Sequence, residues 1–203
     1  NGWRYMKYPD YFKSNHVHFP LLNKSYPNVL ATPGMIGSWI DTLGTVVAAI
    51  GSTPLKGLSG PLQEDLIYIG NVLQGLGSAL VVDSPETLPN DRVGSALESI
   101  GNLTVISGLL QNDENSTVRL SKQGNLLQAL GGSFSLNYDG QITSINNIGN
   151  GLRVLGNSLQ AISLKESLLE TEEGQLLDAI GSWIQAVGSF IAAVTYEGAE
   201  TGG

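Results

Sequence analysis

Apolar residues recur along this chain at intervals of four, three and four. Ile180, Ile184, Val187 and Ile191 follow that rhythm, as do Ile36, Ile40, Leu43 and Val47. Ile69, Leu73, Leu76 and Leu80 repeat it, and so do Ile148, Leu152, Leu155 and Leu159. The spacing marks one face of an α-helix. The opposite face carries Asp41, Gln74, Gln128, Arg153 and Gln185 among Ser and Asn residues.

A second pattern lies over the first. Each apolar stripe is accompanied by Gly followed by Ser or Asn, with another Gly seven residues after the first. Six copies begin at Gly37, Gly70, Gly101, Gly124, Gly149 and Gly181, and their second glycines are Gly44, Gly77, Gly108, Gly131, Gly156 and Gly188. Internal repetition of this kind implies one supersecondary unit used several times. The third copy is degenerate, with Thr104 and Ser107 at two stripe positions. At about 100° per residue both glycines fall on the border between the apolar and polar faces. Each glycine inside a helix costs about 1 kcal/mol relative to Ala. The expected compensation is close backbone approach between neighbouring helices, as in small-residue seams. The competing reading makes these glycines breaks between short helices, but the apolar period runs through them without a phase shift.

The predicted architecture is all-α. Six repeated amphipathic helices, at about 33–50, 61–82, 91–110, 117–134, 141–164 and 171–195, stack as antiparallel hairpins with glycine-lined seams. Pro33 and Pro61 suit first helical turns. A helix-turn-helix corner is expected around Asn137-Tyr138-Asp139-Gly140, with a small Asp-Gly β-hairpin as the alternative. The first and last copies match best, which places Trp39 and Trp183 at equivalent positions with core packing as their expected role.

Residues 1–34 differ from the helical domain at 35–196 and from the Gly-rich tail at 197–203. Half the aromatics lie here, among them Trp3, Tyr5, Tyr8, Tyr11, Phe12 and Phe19, together with Pro9, Pro20, Pro27 and Pro33. The prolines exclude a long helix. An extended basic arm is expected, docking its aromatics on an acidic body, either its own or a neighbouring subunit's.

Composition sharpens this picture. Formal net charge is −8, so nucleic acid is an unsuitable partner. Charged residues make up 14%, against roughly 25% in ordinary soluble domains. Much of the surface is then expected to be uncharged Ser, Asn, Gln, Thr and Gly, suited to packing against further copies. No cysteine is present, which excludes disulfides and thiol chemistry. The apolar run at 179–196 approaches bilayer length, but its Ser182, Gln185 and Ser189 favour a buried amphipathic helix over a membrane span.

No catalytic constellation is visible. The phosphate-binding, dinucleotide, nucleophile-elbow and zinc-protease motifs are all missing. His16 and His18 both lie in the arm, so the helical body has no histidine for acid–base work. Metal binding by this pair is not favoured. The acidic groups at 113–114 and 170–173 read as solvated helix starts. No enzyme activity, cofactor or metal is expected.

Units such as Ile36-Gly37-Ser38-Trp39-Ile40, continuing to Gly51-Ser52-Thr53-Pro54, resemble those of an uncharacterised family of repetitive proteins from spore-forming bacilli. The resemblance covers roughly 35–195 and leaves out the arm. It implies a bacterial protein in a spore or cell-surface setting and supplies no site residues. The expected function is structural: self-assembly into an oligomer, filament or lattice, with the arm reaching a neighbour. The alternative is a membrane-active or pore-forming, toxin-like helical protein. A small-molecule carrier with an interhelical pocket comes third.

Overall fold

The computed structural model describes residues 32–136, 144–169 and 171–196. The aromatic arm with its expected self-association residues, the His16/His18 pair, the 197–203 tail and the turn at 137–143 lie outside these residues. Six helices account for most of the described chain: α1 Pro33–Ser52, α2 Gly60–Asp83, α3 Pro89–Leu109, α4 Glu114–Phe134, α5 Ile145–Ser163 and α6 Glu172–Val194. The protein is all-α, with no strand among the described residues.

Local chemistry sets the helix starts. Thr32, Asp113, Ser144 and Thr171 each accept a hydrogen bond from the backbone N–H three residues on, satisfying a donor that has no intrahelical partner. Prolines stand in the first turns of α1, α2 and α3, where a missing N–H is harmless.

Helices pair as α1–α2, α3–α4 and α5–α6, and these contacts are the most extensive in the molecule. Weaker contacts join α2 to α3, α4 to α5 and α6 back to α1, which closes the six helices into a ring. The two best-matched repeat units therefore meet side by side at the closure.

Within each pair the glycines face one another. A Cβ placed on Gly44 would stand 2.6 Å from the Gly70 carbonyl oxygen, and one on Gly77 2.5 Å from the Gly37 carbonyl oxygen. Real side chains do not tolerate such distances, so the backbones approach as only glycine allows. The same reciprocal contacts join Gly101 to Gly124, Gly94 to Gly131, Gly156 to Gly181 and Gly149 to Gly188. A Cβ placed on Gly108 would stand 3.0 Å from the Thr117 carbonyl oxygen.

The direction in which the faces point overturns one expectation. Among the described residues the buried apolar side chains are Ala and Val alone, at Ala48, Ala49, Val81, Val105, Ala129, Ala161, Ala179, Ala186 and Ala193. The large apolar side chains of the stripes stand outside: Leu43 is 61% exposed, and Ile69, Leu76, Ile100, Leu126, Ile148, Leu155 and Val187 are exposed with it. Trp39 and Trp183, expected in the core, are 40% and 42% exposed. The uncharged polar residues expected on the surface are inside. Glycine contacts draw the small polar flank of each helix toward its neighbour, and that leaves the bulky stripe facing away from the ring.

A polar lumen as the candidate functional site

The inside of the ring is lined in layers. In α1, α3 and α5 the residue four beyond the first seam glycine is Asp41, Glu98 or Arg153. In α2, α4 and α6 the residue four beyond Gly70, Gly124 and Gly181 is a glutamine: Gln74, Gln128 and Gln185. Each hairpin thus contributes one charged residue and one amide at matching heights. Pairing of Gly94 with Gly131 shows that the unit in α3 begins at Gly94, seven residues ahead of the Gly101 frame read from sequence. In the corrected frame the α3 stripe is Val93, Leu97 and Ile100, and Glu98 falls into line with Asp41 and Arg153. That frame shift hid Glu98 from the sequence reading, which identified the other five.

Arg153 Nη2 donates to Glu98 Oε2 at 2.6 Å and lies 3.4 Å from Asp41 Oδ2. Removing such ions from bulk water is expensive unless partners are close, and here one guanidinium joins carboxylates from two other hairpins.

Beside this triad the glutamines form a girdle. Gln185 Nε2 donates to Gln74 Oε1 at 2.9 Å and to Gln128 Oε1 at 3.3 Å, while Gln160 Nε2 donates to Gln185 Oε1 at 2.8 Å. Gln74 is 2% exposed. The amides close the lumen at this level by bonding to one another.

A cavity opens on either side. One, about 500 Å3, lies toward the end that holds the starts of α1, α3 and α5, and Asp41, Ser78, Asp91, Glu98, Asn150 and Arg153 help to line it. The other, about 470 Å3, lies toward the opposite end, with Gln63, Asn71, Asn125, Gln160, Ser163 and Asp178 in its wall. Gln74 sits between Asn71 and Ser78 along α2, and Gln128 between Asn125 and Ser135 along α4. The girdle therefore separates the two chambers.

The lumen is rich in hydrogen-bonding groups that the protein does not fully satisfy. Asn102 Nδ2 donates to the Glu98 carbonyl, yet Asn102 Oδ1, Asn157 Oδ1, Ser78 Oγ, Ser182 Oγ and Glu98 Oε1 meet no protein partner. Buried polar groups in proteins are ordinarily bonded, so Ser78 Oγ and Glu98 Oε1, open in the chamber wall, suit a wet interior.

The outer face manages its few polar groups differently. Thr104 and Ser107 turn their hydroxyls back onto the Ile100 and Leu103 carbonyls, both at 2.8 Å. Ser133 and Ser158 do the same one turn back. Such bonds satisfy a hydroxyl without water. At the ring closure Trp183 Nε1 donates to Thr53 Oγ1 at 3.0 Å, and Trp39 meets Phe190 edge-on with ring centroids 6.0 Å apart.

Residues 33–193 match a family described as a family of unknown function, DUF6944. The chain belongs to that family. The match runs from the start of α1 almost to the end of α6 and so takes in all six helices. No curated protein and no solved structure matches the chain. The family description names no activity and adds no site residue.

Proposed function

We propose that this chain is an integral membrane protein whose six helices enclose a polar passage, closed here by the glutamine girdle. One observation carries the reading: the large apolar side chains form an exposed belt, while amides, hydroxyls and a charge triad fill the interior. In water that arrangement forfeits the main driving force of folding. In a bilayer it is the favourable one, since lipid faces the belt and helices satisfy their own backbones.

Dimensions support it. Helices of 19 to 24 residues span about 29–36 Å at 1.5 Å per residue, against a hydrocarbon thickness of about 30 Å. Helices α1, α2 and α6 are long and apolar enough to cross a membrane by length and composition. The other three are less apolar by composition, while α3 and α5 expose Ile100 and Leu155 near mid-height. Outside the triad, charges gather toward the ends; Arg119 and Lys122 lie within the first nine residues of α4, where a long side chain reaches the headgroups. The resemblance to proteins of spore-forming bacilli makes a bacterial envelope or spore membrane the setting we propose.

Alkaline carbonate washing of membranes from expressing cells, followed by detergent extraction, tests the proposal. Retention through carbonate and release by detergent is the expected result. Release as a homogeneous oligomer without detergent overturns it and makes the apolar belt an interface between copies, the self-assembly expected from low charge.

A further inference from the structure

We infer that the chamber beside the triad is a site for a small monovalent inorganic cation, bound alongside the Arg153 guanidinium. The inference rests on the membrane reading only in calling the chamber part of a passage; the site itself belongs to the fold.

Charge comes first. Four acids line this chamber, Asp41, Glu86, Asp91 and Glu98, against the single base Arg153. Among the described residues the opposite chamber is lined by Glu64 and Asp178 with no Lys or Arg. Groups of one charge sign lining a pore select the opposite ion, so this chamber favours a cation.

A cluster of acids alone proves little, but two further observations point to a bound cation. Glu98 is 4% exposed and Ser78 2% exposed, and Glu98 Oε1 and Ser78 Oγ, both in the chamber wall, have no protein partner. These are oxygen ligands already desolvated and held by helices. The protein also places a cation of its own there, bound to Glu98 Oε2 at 2.6 Å. Among the described residues no three carboxylates or imidazoles converge as a divalent ion would need. Two carboxylates, hydroxyls and amide oxygens suit a singly charged ion such as Na+.

The test uses the full chain in detergent micelles and Na+ as the probe. Excess 23Na line broadening over empty micelles is expected for wild type, together with its loss in Glu98→Gln. A second measurement is the thermal unfolding midpoint in sodium chloride against N-methylglucamine chloride at equal ionic strength. Arg153→Gln removes the competing positive charge, so its midpoint is expected to rise in Na+ by about 3–6 °C at ten times the Kd. Adding Asp41→Asn and Glu98→Gln to that variant should abolish the rise. Absence of excess broadening in wild type overturns the inference, as does broadening that survives Glu98→Gln. Because neither readout needs a bilayer, failure here leaves the carbonate result untouched, and sodium binding by a carbonate-soluble protein would sink the membrane reading alone.

Discussion

The outer and inner faces of these helices solve the same problem in opposite ways. Both carry polar side chains that must find hydrogen-bond partners. On the outside, Thr104 and Ser107 bond their own helix carbonyls and leave nothing open. On the inside, Arg153 bonds Glu98, Gln185 bonds Gln74, and oxygens of Asn102 and Asn157 stay open. The outer solution is self-sufficient and suits a medium that offers no hydrogen bonds. The inner one reaches across the ring and needs other groups to be complete. The contrast teaches that burial and polarity are separate properties in this molecule.

Breaking the inner solution should have the largest effect. Arg153→Leu strands two carboxylates in the lumen, and removing one partner of a buried ion pair costs about 3–5 kcal/mol. A triple replacement of Asp41, Glu98 and Arg153 by Leu removes all three charges of the triad, and it should unfold close to wild type in detergent. Thermal midpoints of the single and triple variants read the comparison; a harmless Arg153→Leu would mean that the triad holds nothing together.

Breaking the outer solution comes next. Leu43→Asp puts a charge at mid-height on the exposed belt. Against lipid this costs about 3 kcal/mol, and the carbonate-resistant fraction should fall sharply. In water the same change would improve solubility, so the sign of the effect separates the two surroundings.

Between the faces lie the glycine borders, where two equal substitutions should move stability in opposite directions. Gly44→Ala drives a methyl into the Gly70 carbonyl, and overpacking of this kind costs about 1–3 kcal/mol. Gly151→Ala in α5 meets nothing within 4 Å, and it should gain up to about 1 kcal/mol of helix propensity. Paired thermal unfolding of the two variants checks this.

Much of this was legible beforehand. The four-three-four stripes and the Pro and Thr starts locate all six helices to within a few residues. The Gly-x6-Gly spacing pointed to close helix pairs, and the structure places those glycines other than Gly108 in reciprocal contact. What periodicity cannot carry is direction: an amphipathic helix has two faces whichever medium it meets. The signal lay in the polar face itself, where Ser, Asn and Gln stand in place of Lys and Glu. A helix facing water ordinarily carries charge there. The lumen was legible residue by residue for Asp41, Gln74, Gln128, Arg153 and Gln185, but not as a site. Ring closure depends on α1 meeting α6, a contact with no local sequence mark. Glu98 was lost because α3 holds three glycines at seven-residue spacing, Gly94, Gly101 and Gly108, and two frames fit equally well until a partner helix chooses one.

The smallest expected effect lies on the belt, where a self-satisfied hydroxyl is exchanged for a hydrocarbon. Ser107 bonds only the Leu103 carbonyl of its own helix and is otherwise exposed. Ser107→Leu removes that bond, yet the carbonyl keeps its helical partner and the new side chain extends the apolar stripe. Surface changes away from special features stay within about 0.5 kcal/mol, so unfolding in micelles should barely move while carbonate retention is kept or rises. Were the belt in contact with water, the same substitution would enlarge an exposed apolar patch and promote precipitation. Sedimentation of the variant beside wild type, in detergent and after dilution below its micelle concentration, therefore reads the medium around the belt without disturbing the lumen.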